Sequence, residues 1–279
     1  MGDNSNFQWH TIIGRCCQFL LIIFSIKILT NTITPYEYGV YGIAMASIAI
    51  FSYILIGPLG LTINRNIHQW TSEGYLKKIL IKFALYSLFV AALTAAIISF
   101  IGNNSLLGYI AIFAYMYSYT IAYTLIPNLN ILGKSFEFIA LLNLNIFTGI
   151  FFGYFLIKIL GQKYEYWLIG ISLGNLISSF FALRVYIKNF FNKKVSVKNI
   201  DYKKYFSFSG YMLINSVFTW IYLMGYRYIA GDELGYMDLG IYLGCAAIAA
   251  GIISGYEQVV TSIYLPIFYK NIDKNRYKQ

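Results

Sequence analysis

Apolar residues run along this chain in blocks of about 18 or more, separated by charged stretches or by stretches containing Gly, Pro and Asn. A helix of about 20 residues crosses the hydrocarbon of a bilayer, so each block reads as one membrane span. Eight spans are predicted, at roughly 12–29, 40–61, 79–101, 106–127, 136–160, 166–187, 205–230 and 239–268. Eight such helices use most of the 279 residues, which leaves short connections and no room for a folded soluble domain. The pattern predicts an all-α polytopic membrane protein.

Composition agrees. The hydrophobic share is 58% and the charged share 11%, against about a quarter charged in soluble domains. A soluble enzyme, a disordered chain and a disulfide scaffold are excluded. A net charge of +10 raises nucleic acid as a partner, and the positions of the charges decide the matter. If alternate connections are cytoplasmic, every Lys and Arg except Lys27, Lys158, Lys163 and Arg227 falls on that side, while the other side carries Glu37, Glu165, Asp232, Glu233 and Asp238. Both termini are then cytoplasmic, the basic surplus is topological, and no nucleic-acid partner is predicted. The densest basic run, Lys193 to Lys204, reads as a positive-inside loop, with a dock for anionic headgroups as the sharper alternative.

Several motifs lead nowhere. Gly133-Lys134-Ser135 resembles the end of a phosphate-binding loop, but Asn128 stands where the leading Gly belongs, and the segment lies between two spans. His10 and His68 have no metal-ligand spacing, and Cys16, Cys17 and Cys245 read as small packing residues inside spans. The start has no basic n-region, so the first span is expected to be retained, and Asn6 spoils a myristoylation pattern. Catalysis is not indicated, no cofactor is predicted, and the interfacial pair Lys134 and Glu137 reads as a salt bridge. Asn143, Asn145, Asn175 and Asn215 read as hydrogen-bonding links between helices. Tyr36, Tyr38, Tyr164, Tyr166, Trp167, Tyr202 and Tyr205 flank spans and read as headgroup-level rings, while Tyr211, Trp220 and Tyr222 are candidates for stacking on sugars.

The chain also resembles itself. At an offset of 201 residues, Glu37-Tyr38-Gly39-Val40-Tyr41 matches Asp238-Leu239-Gly240-Ile241-Tyr242, and Ala44, Ala46 and Ala49 match Cys245, Ala247 and Ala250. Both copies have the same orientation, as in parallel-repeat transporters. The expected organisation is a six-helix lobe over 1–188, a basic cytoplasmic linker over 189–204, and over 205–279 the first two helices of a second lobe. A complete second copy would need about four more helices, so the chain is expected to be part of a longer protein.

The stretches Ile28-Leu29-Thr30, Thr34-Pro35-Tyr36-Glu37-Tyr38-Gly39-Val40-Tyr41, Gly57-Pro58-Leu59-Gly60-Leu61 through Asn64-Arg65, Leu132-Gly133-Lys134 and Leu239-Gly240-Ile241-Tyr242 resemble the Wzx-like polysaccharide flippases of the MOP superfamily, which also holds multidrug exporters. The resemblance implies a flippase of the bacterial inner membrane that carries a polyprenyl-diphosphate-linked oligosaccharide to the outer leaflet, driven by an ion gradient. It also implies glycan polymerase and export machinery as partners. A small-molecule exporter and an inactive truncated flippase are the alternative readings. A diphosphate and its sugars need a polar, cationic cavity that opens alternately to each side, and the planar fork of arginine suits phosphate.

With that cavity in view, Arg15 in span 1 and Arg65 near the end of span 2 are either cytoplasmic anchors or substrate ligands. Arg227 runs against the charge bias, so it demands a ligand or a rim partner such as Asp232 or Glu233. Many relatives have an Asp before this Arg, where this chain has Tyr226. Lys27 either snorkels to the interface or binds substrate. Glu257 lies well inside span 8, as an ion-coupling carboxylate or as one tied to a buried base.

Overall fold

The computed structural model describes residues 3–102, 105–191 and 202–276, and all the regular structure among them is helical. In chain order the helices are α1 (Asp3–Thr32), α2 (Pro35–Phe51), α3 (Gly57–Ser72), α4 (Leu76–Ile101), α5 (Leu106–Ile131), α6 (Ser135–Leu160), α7 (Tyr164–Asn189), α8 (Tyr202–Trp220) and α9 (Tyr226–Arg276). One π-helical turn, Ser52–Ile56, joins α2 to α3, and another, Ile221–Gly225, joins α8 to α9. The basic linker expected over 189–204 falls mainly on 192–201, outside the described residues.

Seven stretches are long and apolar enough to cross a membrane, one fewer than the hydrophobic blocks predict. The difference lies in Gly210–Thr261, a 52-residue stretch that merges two predicted spans. A straight helix of that length would reach about 78 Å, more than twice the hydrocarbon thickness. Gly235 interrupts it with φ 83° and ψ 162°, a backbone conformation that glycine adopts at no steric cost. The stretch therefore holds two crossings with a turn at Gly235. Pro35–Ser72 is also overlong at 38 residues, and here the interruption is milder. Pro58 has no N–H to return to the previous turn, and the π turn just before it shifts the register. The Leu55 carbonyl accepts a hydrogen bond of 3.2 Å from the Tyr86 hydroxyl on α4.

Close packing rests on small residues that the hydropathy pattern does not separate from the rest. Gly149 and Gly153 on α6 face Gly170 and Gly174 on α7, a small-xxx-small pair on each helix. A Cβ on Gly174 would stand 2.6 Å from the Gly149 nitrogen, one on Gly153 would stand 2.6 Å from the Trp167 ring, and one on Gly170 would collide with the Gly153 backbone. Two of the four asparagines link helices as expected. Asn175 Nδ2 donates to Ser118 Oγ on α5 at 3.3 Å, and Asn143 Nδ2 donates to the Gly14 carbonyl on α1 at 3.1 Å. Asn145 instead meets α7 through its backbone carbonyl, and Asn215 is exposed. The expected pair at the start of α6 forms, with Lys134 Nζ 3.7 Å from Glu137 Oε1.

Other expectations are corrected. Tyr38 and Trp167 are buried where α1, α2, α6, α7 and α9 converge, and Tyr164 is buried in the neighbouring cluster, so these rings pack against other helices. The side chains of Tyr202 and Tyr205 lie outside the described residues. Cys16, Cys17 and Cys245 are free and exposed, not packed between helices.

Candidate functional site

The motif between the first two spans builds a junction of three helices. Thr34 takes an extended conformation and caps α2, its side-chain oxygen accepting from the Glu37 N–H at 3.2 Å, and Pro35 follows at the first helical position. Glu37 turns its carboxylate outward, where Oε2 accepts from the Tyr164 N–H at 3.1 Å and so caps α7 from another helix. The residue before α7, Lys163, offers no such cap. Glu37→Ala should cost about 1 kcal/mol, the usual value of a lost cap, and Glu37→Gln less; thermal unfolding of the purified protein measures both.

Gly39 brings in the third helix. A Cβ there would strike the Tyr236 carbonyl oxygen, and one on Gly240 would strike the Pro35 carbonyl oxygen. At the offset of 201, Gly39 corresponds to Gly240 and Pro35 to Tyr236, so the contact between α2 and α9 is reciprocal, as across a two-fold axis. Gly42 and its counterpart Leu243 meet next to it, and the rings of Tyr36 and Tyr236 lie edge to face at 5.7 Å.

Arg227 sits beside this junction. Its Nη1 donates to the Gly42 carbonyl at 3.2 Å, its guanidinium lies 6.0 Å from the Tyr226 ring, and Tyr38 and Tyr41 are within electrostatic reach. It pairs with neither Asp232 nor Glu233, which are both exposed, and its Nε is buried without a hydrogen bond. Two further bonds fix the α8–α9 strand of this arrangement to the same stripe of α2: Trp220 Nε1 donates to the Ala46 carbonyl at 2.8 Å, and the Ser47 and Tyr228 hydroxyls are 2.7 Å apart. Trp220 is thereby engaged in packing, whereas Tyr211 and Tyr222 are exposed.

From Arg227 a column of tyrosines leads through the molecule to Arg15. Tyr41 is in electrostatic reach of Arg227, of Tyr115 and of Tyr123. Tyr115, Tyr119 and Tyr123 follow one another at four-residue spacing on α5, their rings stacked with centroids 5.5 and 4.1 Å apart. Tyr123 interacts electrostatically with Arg15. The Tyr123 ring is 58% exposed. Arg15 is oriented by Gln18, whose Oε1 accepts from Nη1 at 2.6 Å, and by the Phe138 ring, 4.9 Å from the guanidinium carbon. Tyr115 to Tyr123 spans about 12 Å along α5.

The other predicted residues lie elsewhere. Lys27 faces a groove of about 450 Å³ between α1 and α9, lined also by Thr30, Tyr38, Gly240 and Gly244, so Tyr38 connects it with the Arg227 region. Arg65 is half-buried on α3, about 35 Å along the helix from Gly42 and far from Arg227. Glu257 is exposed, not a buried carboxylate tied to a base. It follows by two residues Gly255, which faces Phe19 of α1, so it points about 200° away from α1. Among the described residues no three His, Cys, Asp or Glu side chains gather within reach of one metal ion. The tyrosine column was missed in the sequence, although the four-residue spacing of Tyr115, Tyr119 and Tyr123 was a visible signal.

Membrane-length helices around an interior column of tyrosines and arginines define a polytopic membrane protein. The profile of a family described as polysaccharide biosynthesis protein matches residues 28–278, and the chain belongs to that family. No curated protein and no solved structure matches the chain. Family and fold together point to a transporter rather than an enzyme.

Proposed function

We propose that this chain is a flippase that moves a polyprenyl-diphosphate-linked oligosaccharide from the cytoplasmic to the outer leaflet of the bacterial inner membrane, both termini facing the cytoplasm. The observation that carries the proposal is Arg227. It is a cation in a membrane-length stretch with no carboxylate paired to it among the described residues, in a family of polysaccharide biosynthesis proteins. A group of that kind is costly unless it meets an anion, and a diphosphate supplies one that accepts two parallel hydrogen bonds from the guanidinium. Arg15 offers a second phosphate ligand at the basic end of the column, and Lys27 a third on the α1–α9 side. Between the arginines the stacked tyrosines present apolar ring faces and hydroxyls, a surface that suits sugar rings.

Alternating access follows from the lobed organisation, which the reciprocal glycine contact between α2 and α9 supports. Residues 1–188 form the first lobe and the helices from 205 onward belong to the second. Glu257 is the proposed ion-coupling group, and Arg65 an anchor or an early substrate contact.

The test is translocation in proteoliposomes. A fluorescent polyprenyl-diphosphate oligosaccharide placed in one leaflet should become accessible to a quencher on the other side when the protein is present, and an ion gradient should speed the process. Transport of small cationic dyes with no movement of the lipid-linked sugar would instead make the protein an exporter.

A further inference from the structure

A second concave site lies apart from the arginine–tyrosine column. A groove of about 500 Å³ runs between the π turn, α3, α4 and α8, and it shares no lining residue with the column. On α4 it is lined by Ile79, Lys82, Phe83 and Tyr86, which at three- and four-residue spacing form one helix face. Leu59 and Trp70 of α3 form part of the opposite wall, and Leu213 comes from α8.

The groove opens beside the π turn and Pro58, where Ile54, Leu55 and Pro58 line it at the junction of α2 and α3. Ile79 to Tyr86 covers about 10 Å and Trp70 to Ile54 about 24 Å, lengths that bracket the roughly 15 Å of one leaflet's hydrocarbon. Apart from Thr62 and the polar atoms of Trp70 and Tyr86 the lining is apolar, and Lys82, midway along the α4 wall, is its charged side chain. Lys78, exposed one turn earlier on the same face of α4, stands nearer the helix start, so two ammonium groups follow one another along this wall. By the charge bias the helix start is the cytoplasmic end.

We propose that this groove binds one acyl chain of an anionic phospholipid of that leaflet, with Lys82 receiving the headgroup phosphate. Charge complementarity selects the lipid. An apolar furrow alone would accept any chain, whereas Lys82 in its wall and Lys78 one turn away favour a headgroup with net negative charge. A volume of about 500 Å³ holds on the order of 17 groups of about 30 Å³, the share of one water molecule and close to that of a methylene, which is the length of a common acyl chain. The lipid touches α8 on one side and α3 and α4 on the other, so its occupancy holds α8 in its present place.

The experiment is native mass spectrometry of the full chain, released from nanodiscs that contain equal amounts of phosphatidylglycerol and phosphatidylcholine. Retained phosphatidylglycerol in excess over phosphatidylcholine is the expected result. Lys82→Gln should lower the ratio about fivefold, the value of one basic residue at an anionic membrane surface, and Lys82→Arg should keep it. Leu59→Trp, which fills the furrow, should release both lipids. Equal retention of the two lipids, or an unchanged ratio in Lys82→Gln, overturns the proposal. If Leu59→Trp does not fold, the Lys82 variants still decide. Glycerol phosphate added in excess separates the two sources of phosphate: a retained lipid signal supports the acyl-chain site, and displacement by glycerol phosphate alone would reduce it to a phosphate site. Failure here leaves the translocation assay untouched, because the two sites share no residue.

Discussion

Replacing Arg227 with alanine is expected to lower the rate of lipid-linked oligosaccharide translocation by ten- to a hundredfold without loss of protein from the membrane. The magnitude is that of one charge-assisted hydrogen bond to a phosphate, about 1.5–3 kcal/mol, converted at 1.4 kcal/mol per factor of ten. The fold should survive, because the Gly42 carbonyl that Arg227 contacts belongs to a helix that provides its own hydrogen bonds. Arg227→Lys keeps the charge and loses the fork, so its rate should fall between the two. The measurement is the proteoliposome assay, with protein content quantified in each preparation. A rate equal to that of the unsubstituted protein would remove Arg227 from the site.

The largest effect on stability is expected at Gly170. A side chain there would drive into the Gly153 backbone, and backbone in the middle of α6 cannot give way as a rotamer can. Gly170→Leu should destabilise the protein by about 3 kcal/mol or more, at the upper end of overpacking, and Gly170→Ala should cost less. Trp167 packs against Gly153, so its fluorescence during heating reports the loss of the α6–α7 contact directly. Gly60→Ala is the control: a Cβ there meets nothing within 4 Å, and removing a helical glycine should leave stability unchanged or slightly raised. Equal melting of the Gly170 and Gly60 variants would show that close approach at Gly170 does not matter.

Helix existence was legible in the chain because hydrocarbon demands long apolar runs, and six of the predicted spans match separate membrane-length stretches. The last two run together as helix on either side of Gly235, and that break falls inside the connection at 231–238 that the sequence predicts, where Asp232, Glu233 and Asp238 stand. Arg227 could be singled out, since a cation on the wrong side of the charge bias has to be accounted for. Its true neighbours could not, because the Gly42 carbonyl and the Tyr38 and Tyr41 hydroxyls come from a span 185 residues away from it at Gly42. The acids close in sequence, Asp232 and Glu233, were the natural partners to expect, and tertiary packing overrode proximity along the chain. Glu37 shows the same limit: as an acid among outer charges it fits the topology, yet the role that the structure gives it is to cap a helix that begins 127 residues later.

The meeting of α2 and α9 at Gly39 and Gly240 has a mechanical side. Main chain touches main chain there, so the two helices cannot come closer, and the low-cost relative movement left to them is rotation about the contact. A fulcrum at one face of the membrane turns small angles into large openings at the other: about 10° of rocking over the roughly 30 Å of hydrocarbon separates the far ends by about 5 Å. A side chain as small as a methyl at either glycine would shift that fulcrum and stiffen the lever.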